Sequence, residues 1–561
     1  MPDNGRTGEI LSTMQEFPLT ITHMLRHGQT VHGRSEVVSF DGEQTSSTSF
    51  AEVAARMERL AAGLAHLGVR SGDRVATLMW NSSEHLEAYF AVPCMGAVLH
   101  TLNLRLAPAD LARIMAEAGD KVVMVHASLM PLLSAVLPGV PTVEKVVIVA
   151  DPGQPAYSGG ADGPVEHLGY EELLAAQQPG YAWPDLDERS PAAICYTSGT
   201  TGVPRGVVYS HRSTFLHAFG SSTGAAFVVG PEDRVLPLVP MFHVNAWGIP
   251  FSSWTNGATL VMPQRWLLGE PVCKLIKLAR PTCAAGVPTI WGSLLAYGDE
   301  HPGDVDFSSL RLAMSGGSAL PIAMMEKFRD RYGVHMSQGW GMTETSPVCT
   351  FALVGPPEVV ASGTGETTSE KNGPLSAGRL LTGVEMRIIT PDGQVAPWDG
   401  ATVGEVEVRG PWITGSYIGG AEAAQFHDGW FRTGDLGTLD PDGFLYLSDR
   451  LKDSIKSGGE WISSIRLEDE LMGYPGVLEA AVVGVPDERW GERPLAVVVP
   501  RPGSSVTADE LKEHLATRVV RWWMPDHWVF VDEIPKTSVG KYDKKVLRAR
   551  YGAGGLPRPP A

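Results

Sequence analysis

The stretch Tyr196-Thr-Ser-Gly-Thr-Thr-Gly-Val-Pro-Arg-Gly206 decides how this chain is interpreted, because it combines glycines, hydroxyls and a cation in one short loop. Glycines at this density let successive backbone N–H groups turn toward one point, and such a concave backbone binds anions. Four hydroxyl side chains add donors, and Arg205 adds a permanent positive charge that suits phosphate oxygens. The loop therefore predicts a polyphosphate site.

This loop differs from a Walker A sequence. Counted from Gly199, that motif requires a glycine at position 204, which is proline here, and no Gly-Lys-Ser/Thr follows. A solvated Ser/Thr/Gly linker is the usual interpretation of such a composition. Further segments downstream, described below, favour the phosphate site over the linker.

Length and composition indicate a globular protein of several domains. At 561 residues the chain exceeds one ordinary core, and its 43% apolar and 19% charged residues are typical of folded domains. No apolar run of about 18 residues predicts a membrane span, and no secretory signal is visible at the start. The five scattered cysteines argue against a disulfide framework or a cysteine-rich zinc site, so we expect a cytoplasmic protein.

The net charge of −18 bears on possible partners. Nucleic acid is disfavoured, because neutralising phosphates requires clustered cations. An anionic substrate is expected only where cations gather locally. Such a gathering occurs late in the chain, at Arg450, Lys452 and Lys456 and again between residues 536 and 545.

The first part of the chain alternates amphipathic helices with short apolar strands. One helix begins at the capping box Ser49-Phe-Ala-Glu52 and keeps apolar residues at helical spacing up to Gly68. Alternation of this kind predicts layered α/β sheets. The expected strands are 75–79, 121–125, 143–149, 234–238, 258–262 and 310–314.

The rest of the chain is β-rich from about residue 384, and a compact segment with its own α/β pattern follows Asp449. We therefore predict an α/β protein. Its large, multi-subdomain N-terminal domain (1–449) has layered sheets and a β-rich part, and its small C-terminal α/β domain (450–561) is mobile. Residues 152–190 and 355–378 are expected to be surface excursions, and the tail after about 551 is expected to be disordered.

Several ordered segments give the chain a resemblance to a known family. After the opening loop come Met241-Phe-His-Val-Asn-Ala-Trp247, Ser315-Gly-Gly-Ser-Ala-Leu-Pro321, Gln338-Gly-Trp-Gly-Met-Thr-Glu-Thr345, Thr433-Gly-Asp435, Asp449-Arg-Leu-Lys-Asp-Ser-Ile-Lys-Ser-Gly-Gly-Glu-Trp461 and Pro535-Lys-Thr-Ser-Val-Gly-Lys541. Together they resemble the adenylate-forming superfamily of acyl-CoA synthetases, luciferases and adenylation domains, and most nearly its bacterial fatty-acyl-CoA synthetases. The ordered set is highly specific, whereas Thr-Gly-Asp alone would carry no weight.

The resemblance implies an enzyme that joins a hydrophobic carboxylic acid to ATP, releases pyrophosphate and passes the acyl group from AMP to coenzyme A. Two anions must meet in the first step. A carboxylate within 4 Å of one phosphate charge costs about 4 kcal/mol at an effective dielectric near 20, which is roughly a thousandfold in rate. Mg²⁺ and protein cations are therefore implied where charge develops.

The resemblance also assigns roles to residues of this sequence. The implied catalytic residues are Lys541, Glu344, Thr197 and His243, with Thr197 and Glu344 as the Mg²⁺ ligands. The implied ATP and AMP contacts are Thr197, Ser198, Gly199, Thr200, Thr201, Gly202, Arg205, Gly316, Gly317, Ser318, Gln338, Gly339, Trp340, Thr343, Asp435, Arg450, Lys452 and Lys456. The implied coenzyme A contacts are Ser457, Gly458, Gly459 and Trp461, and the implied acyl pocket is Val244, Trp247, Gly286 and Val287.

Within these sets, Lys541 is the implied cation of the first half-reaction, Trp340 the stacking partner of adenine and Asp435 the acceptor of the ribose hydroxyls. Rotation of the small domain about the Asp449–Lys452 hinge is then implied for the second half-reaction, with no side-chain nucleophile. His243 and Trp247 could each instead be ordinary core residues, since a lone histidine or tryptophan in an apolar segment is usually structural.

Two residues depart from the family pattern: Arg205 stands where many relatives have lysine, and Trp340 replaces the commoner tyrosine. These departures leave open an enzyme specialised for making the thioester from another enzyme's acyl-AMP. Three further functions stay open at this point: an acyl-AMP ligase serving a carrier protein, a luciferase-like oxygenase, and a non-catalytic nucleotide- or acyl-binding regulatory protein. A homodimer is also implied by the resemblance.

Overall fold

The computed structural model describes residues 12–151, 165–197, 203–223, 226–352, 376–458, 460–537 and 541–551, together with the backbone of residues 160–162. Within these residues the chain forms three β-sheets of fourteen, eight and five strands, with helices packed against them. The predicted fold class is confirmed: layered α/β sheets with a β-rich part come first, and a smaller α/β unit follows. None of the described helices combines the length and the apolar character needed to cross a membrane.

The helices of the described residues are α1 (Ile21–Val31), α2 (Phe50–His66), α3 (Ser83–Cys94), α4 (Pro108–Ala118), α5 (Met130–Val136), α6 (Tyr170–Ala175), α7 (His211–Ser221), α8 (Ile249–Asn256), α9 (Gly269–Ala279), α10 (Pro288–Glu300), α11 (Ile322–Tyr332), α12 (Ser464–Met472), α13 (Ala508–Ala516) and α14 (Lys544–Tyr551). Helix α2 carries the predicted capping box. The Ser49 hydroxyl accepts from the Glu52 N–H at 3.3 Å, and the Glu52 carboxylate accepts from the Ser49 N–H at 3.0 Å. Two N-terminal donors are thereby satisfied.

The strands of the eight-stranded sheet are β3 (Arg74–Leu78), β4 (Val98–Thr101), β5 (Asp120–His126), β6 (Lys145–Val149), β7 (Gly160–Asp162), β8 (Val165–Gly169), β9 (Pro191–Tyr196) and β10 (Gly206–Ser210). Their order is β10-β9-β4-β3-β5-β6-β8-β7. Strands β9 and β10 pair antiparallel, with Tyr196 opposite Gly206. This pairing brings the two ends of the predicted phosphate loop together at the edge of the sheet.

The strands of the fourteen-stranded sheet are β1 (Glu36–Phe40), β2 (Thr45–Ser49), β11 (Arg234–Pro237), β12 (Thr259–Met262), β13 (Cys283–Gly286), β14 (Leu312–Gly316), β15 (Met336–Gly341), β16 (Val348–Ala352), β17 (Ser376–Leu380), β18 (Glu385–Ile389), β19 (Gly404–Arg409), β20 (Phe426–His427), β21 (Trp430–Leu439) and β22 (Phe444–Arg450). Strands β12, β11, β13, β14 and β15 are parallel neighbours in that order. Ligands of such sheets bind beyond the carboxyl ends of the strands. In β14 and β15 these ends are Gly316 and Gly341.

The strands of the five-stranded sheet are β23 (Ile455–Ser457), β24 (Glu460–Ile462), β25 (Val477–Asp487), β26 (Gly491–Pro500) and β27 (His527–Phe530). Side chains alternate between its two faces, since Val482 belongs to one buried apolar cluster and Val483 to the other. The fourteen-stranded sheet ends at Arg450 and this one begins at Ile455. The domain limits 1–449 and 450–561 stay a prediction.

Each strand predicted in the first part of the chain has an observed counterpart, with ends that differ by up to two residues. The expectation that residues 152–190 form only a surface excursion is wrong for residues 165–175. There β8 joins the sheet beside β6, and Tyr170, Leu173 and Leu174 are buried. The sequence did not predict this strand and helix, because Gly, Pro and acidic residues surround their short apolar run. Residues 353–375 and 552–561, with most of the second excursion and the tail, lie outside the described residues.

Candidate functional site

A cavity of about 350 Å³ lies beyond the carboxyl ends of β14 and β15 and is closed on one side by Lys541. Predicted site residues from distant parts of the sequence meet in its wall. Those that line it are Thr197, Arg205, His243, Val244, Trp247, Gly316, Gly317, Gly339, Trp340, Thr343, Glu344, Arg450, Lys452 and Lys541.

Other predicted residues lie away from this cavity wall. They are Ser318, Gln338, Asp435, Gly286, Val287, Lys456, Ser457, Gly458 and Trp461. Asp435 lies at the edge of the Trp340 ring, and Val287 lies beside Gly317, where an added Cβ would be 3.5 Å from the Val287 Cγ1. The predicted contacts Ser198, Gly199, Thr200, Thr201, Gly202 and Gly459 lie outside the described residues.

The phosphate loop is fixed at its base by two hydrogen bonds. The Thr197 N–H donates to the Arg205 carbonyl at 2.9 Å, and the Arg205 N–H donates to the Thr197 hydroxyl at 3.1 Å. The Arg205 guanidinium donates to Glu422 Oε1 at 2.8 Å and lies 5.4 Å from the ring centroid of Tyr417. Thr197 and Arg205, at the two ends of this loop, both line the cavity.

Glu344 is buried at this end of the cavity and is held by Tyr417, whose hydroxyl donates to Glu344 Oε1 at 2.6 Å. Burial raises the pKa of Glu344, and the hydrogen bond from Tyr417 acts in the opposite direction. The Thr414 N–H donates to the Glu344 carbonyl at 2.8 Å and fixes the backbone. Sequence reasoning missed Tyr417, because nothing in its own segment marks it as a partner of a glutamate 73 positions earlier.

Lys541 lines the cavity, and its N–H donates to the Thr537 hydroxyl at 3.2 Å. Its side chain lies against Gly317, where an added Cβ would be 3.8 Å from the Lys541 Cε. Burial lowers the pKa of Lys541 to about 7, and the nearby cation Arg450 acts in the same direction, whereas Asp435 and Glu344 oppose it. The pKa of this ammonium therefore depends on whatever anion enters the cavity.

At the other end of the cavity the backbone approaches closely. A Cβ at Gly316 would lie 3.0 Å from both the Gly339 carbonyl and the Trp247 ring, and Gly317 has φ +81°. Only glycine fits both positions without strain, and both glycines line the cavity together with Trp340. Asp435, at the edge of the Trp340 ring, accepts a hydrogen bond from Trp340 Nε1 at 2.8 Å and pairs with Arg450 Nε at 3.2 Å.

Trp247 stands on a left-handed turn that the sequence did not reveal. The φ angles from Val244 to Trp247 are 47°, 50°, 47° and 59°. Such a conformation costs roughly 1–2 kcal/mol per non-glycine residue. Partners hold the turn: Cys195 Sγ donates to Asn245 Oδ1 at 3.3 Å. Beyond the Trp247 ring lies a second, small cavity of about 10 Å³, lined among others by Ser221, Ala226, Phe227, Ile249 and Ser252.

His243 lines the cavity at the start of this turn. Burial lowers the pKa of His243 to about 3, and the positive charges of Lys541 and Arg105 act in the same direction. The imidazole is therefore neutral at physiological pH. It can donate or accept a hydrogen bond, and it adds no charge to the site.

Two family matches cover most of the chain. Residues 25–418 match the family described as AMP-binding enzyme, and residues 466–541 match the AMP-binding enzyme C-terminal domain. The chain is 43% identical to a long-chain-fatty-acid–CoA ligase of Thermus thermophilus, over 98% of both chains. It is 40% identical to a 3-methylmercaptopropionyl-CoA ligase of Ruegeria pomeroyi, over 97% of this chain and 99% of the relative.

Solved structures agree with these matches. The anthranilate CoA ligase AuaEII in complex with anthranoyl-AMP is 25% identical, with a TM-score of 0.81 over 95% of this chain and 98% of that one. ATP-bound MatB from Rhodopseudomonas palustris is 26% identical, with a TM-score of 0.80 over 96% of this chain and all of that one (100%). The likeness therefore extends over the whole length of the neighbours.

Proposed function

The chain belongs to the AMP-binding enzyme family, and on that premise we propose that it is an AMP-forming acyl-CoA ligase for a hydrophobic carboxylic acid. It condenses the acid with ATP to acyl-AMP and pyrophosphate, and then transfers the acyl group to the thiol of coenzyme A. One observation carries this proposal for the site: a single cavity gathers Thr197, Glu344 and Lys541 from segments far apart in sequence.

The triphosphate would lie at the Thr197 and Arg205 end of the cavity. Peptide N–H groups and a guanidinium suit phosphate oxygens. The nucleoside would occupy the part of the cavity lined by Gly316 and Trp340, with its ribose near Asp435.

The Thr197 hydroxyl and the Glu344 carboxylate would hold Mg²⁺, since both line the same wall and offer the hard oxygen ligands that this ion prefers. Among the described residues no three His, Cys, Asp or Glu side chains lie close enough together to hold a metal. Two protein ligands fit an ion that arrives with the nucleotide, because Mg²⁺ keeps several waters and phosphate oxygens. When bound, the ion offsets phosphate charge.

Lys541 would supply the mobile cation of the first step. Its side chain lines the cavity, where the ammonium could contact both the α-phosphate and the entering carboxylate. An ammonium in a partly dehydrated site stabilises developing negative charge far better than one in water. His243 and Thr343 would add uncharged donors to the same oxygens.

This role predicts a pH dependence for adenylation. With a pKa of about 7 in the nucleotide-free enzyme, Lys541 is charged below that pH and loses its proton above it. We therefore expect kcat/KM for ATP, which reports the free enzyme, to fall above about pH 7. The corresponding fall in kcat should occur at higher pH, because the negative charge of the bound triphosphate raises the pKa of Lys541. Pyrophosphate-exchange rates measured across about pH 5.5–9.5 give both kcat and kcat/KM. If the fall of kcat/KM above about pH 7 persisted in Lys541→Arg, it could not be due to deprotonation of Lys541.

Tyr417 is expected to position Glu344. Tyr417→Phe removes the hydroxyl that donates to the buried carboxylate and leaves the ring under Arg205 in place. Loss of one hydrogen bond to a charged group costs about 1.5–3 kcal/mol, so adenylation should fall roughly tenfold or more. Initial rates of pyrophosphate exchange measure it. The matched control is Tyr446→Phe, which removes a hydroxyl bonded to Asp440 at 3.1 Å and should change the rate less than about twofold.

The second half-reaction needs another arrangement of the C-terminal residues. Lys456, Ser457, Gly458 and Trp461 lie on the β23–β24 hairpin region, away from the cavity, whereas Lys541 lies in it. We propose that rotation about Asp449–Lys452 exchanges the two, so that coenzyme A meets the acyl-AMP where Lys541 had been. The Lys456 ammonium now lies 5.5 Å from the Trp461 ring centroid.

The acid would enter on the Val244 and Trp247 side, where the wall is apolar. The relatives named above act on acids as different as long-chain fatty acids and 3-methylmercaptopropionate. We propose an unbranched aliphatic acid, whose chain length depends on the space beyond Trp247. A homodimer and a cytoplasmic location also remain proposals; the five cysteines, all buried and unpaired, fit a reducing compartment.

The testing experiment is acid-dependent AMP release with ATP, Mg²⁺ and coenzyme A, run over a panel of short, long, aromatic and polycyclic acids. Release that requires both acid and coenzyme A supports the ligase. Turnover only from synthetic acyl-AMP would favour an enzyme restricted to thioester formation, and turnover with a carrier protein instead of coenzyme A would favour an acyl-AMP ligase. Binding of nucleotide without turnover would indicate a regulatory protein.

A further inference from the structure

The indole of Trp340 donates a hydrogen bond to Asp435 in addition to presenting its ring to the cavity. Its Nε1–H donates to Asp435 Oδ2 at 2.8 Å, across the space between β15 and β21. Arg450, which stands opposite Asp435 in the β21–β22 pairing, places its Nε 3.2 Å from the other carboxylate oxygen, Oδ1. The carboxylate thus has a hydrogen-bond donor on one oxygen and an ion-pair partner on the other.

Both partners of this hydrogen bond are largely removed from water. Trp340 is 8% exposed and Asp435 is 4% exposed. A buried carboxylate needs polar partners, and the indole N–H and the guanidinium supply them. They also fix its plane, because each comes from a different strand. An ionised carboxylate offers about four acceptor positions, so each oxygen keeps capacity for one further hydroxyl.

Trp340 also lines the cavity, next to Gly339 and Gly341 of the same strand. The ring thus borders the cavity, while the N–H at its edge is directed at Asp435, the proposed ribose contact. A phenylalanine would keep an aromatic face but leave Oδ2 without this donor. A tyrosine would carry a donor on a smaller ring with a different reach.

We propose that Trp340 is a positioning residue for the ribose: its indole N–H holds the Asp435 carboxylate in the orientation that receives the ribose hydroxyls. This inference rests on the proposed function, since it takes Asp435 as the ribose acceptor. It goes beyond base stacking, because it couples the base-binding residue to the recognition of the sugar. The replacement of the commoner tyrosine by tryptophan is then a feature of sugar recognition.

The test compares ATP with 2′,3′-dideoxy-ATP in acid-dependent pyrophosphate exchange, for the full-length enzyme and for Trp340→Phe. Loss of the donor should raise the KM for ATP about tenfold and leave kcat within about twofold. The KM for the dideoxy nucleotide, which has no ribose hydroxyl to donate to Asp435, should rise by a clearly smaller factor, because it reports only the smaller aromatic face of phenylalanine. Trp340→Tyr should lie between the wild type and Trp340→Phe for ATP.

A double-mutant cycle with Asp435→Asn separates positioning from folding. If the indole acts through the carboxylate, Trp340→Phe should add less than about twofold to the KM for ATP in the Asp435→Asn background. Equal losses for ATP and the dideoxy nucleotide, or full additivity of the two changes, would overturn the inference and leave Trp340 as a stacking or core residue. Failure of the proposed function looks different, because the wild-type enzyme would then show no acid-dependent exchange at all.

Discussion

Substituting Lys541 by alanine is expected to reduce adenylation about a hundredfold or more, while thioester formation from preformed acyl-AMP continues at nearly the wild-type rate. The reason is that the ammonium stabilises charge in the first transition state, and removal of one such donor typically costs two to three orders of magnitude. In this structure the Lys541 side chain lines the cavity beside Gly317. Acid-dependent pyrophosphate exchange measures the first step, and coenzyme A consumption with synthetic acyl-AMP measures the second.

The chain offers a matched control for this experiment in Lys536, five residues earlier in the same segment. Its ammonium pairs with Glu479 at 2.6 Å and lies away from the cavity wall. Lys536→Ala should leave both half-reactions within about twofold, since such partly exposed ion pairs contribute little. If Lys541→Ala exchanged pyrophosphate as fast as Lys536→Ala, Lys541 would have no part in adenylation.

Replacing Glu344 by glutamine is expected to lower adenylation about a hundredfold at a fixed, moderate Mg²⁺ concentration. Glutamine keeps the shape and the oxygen that accepts from Tyr417, but it removes the negative charge that would hold the ion. The loss should shrink as Mg²⁺ is raised, because mass action offsets weaker binding. Pyrophosphate exchange over a Mg²⁺ titration measures the shift, and nucleotide binding in EDTA, followed by fluorescence, should be unchanged.

Glu422→Gln is the control for Glu344. Glu422 lies at the same end of the cavity, bonded to Arg205 at 2.8 Å, but it is half exposed, at 49% of its side chain. Its substitution should change the rate only a few-fold and leave the Mg²⁺ midpoint where it is. A Glu344→Gln enzyme whose Mg²⁺ midpoint equals that of the wild type would show that Glu344 is not a ligand of the ion.

Much of the fold could be predicted from local patterns. The capping box at Ser49 and the apolar runs of β5, β11 and β14 have periodicities set by the element that contains them, and the structure places them as expected. The short strand and helix at residues 165–175 were not predicted, because their apolar run is brief and lies within a segment rich in Gly, Pro and acidic residues. The observed strand ends also differed from the predicted ones, since they depend on pairing partners that lie outside the segment itself.

The candidate site was predictable as a set of motifs, but its internal contacts were not. Tyr417 holds Glu344, and Trp340 holds Asp435, across separations that only the folded sheet brings together. The left-handed turn from Val244 to Trp247 was equally hidden, because its residues have no preference for positive φ. Packing and tertiary hydrogen bonds impose that turn against local propensity.

The most direct test of the central claim is a crystal structure of the enzyme with Mg²⁺ and α,β-methylene-ATP. We expect triphosphate density between Thr197, Arg205 and Lys541, a magnesium ion on Glu344, adenine against Trp340 and ribose hydroxyls on Asp435. Nucleotide bound elsewhere, in a crystal whose Lys541 still closes the cavity, would contradict it.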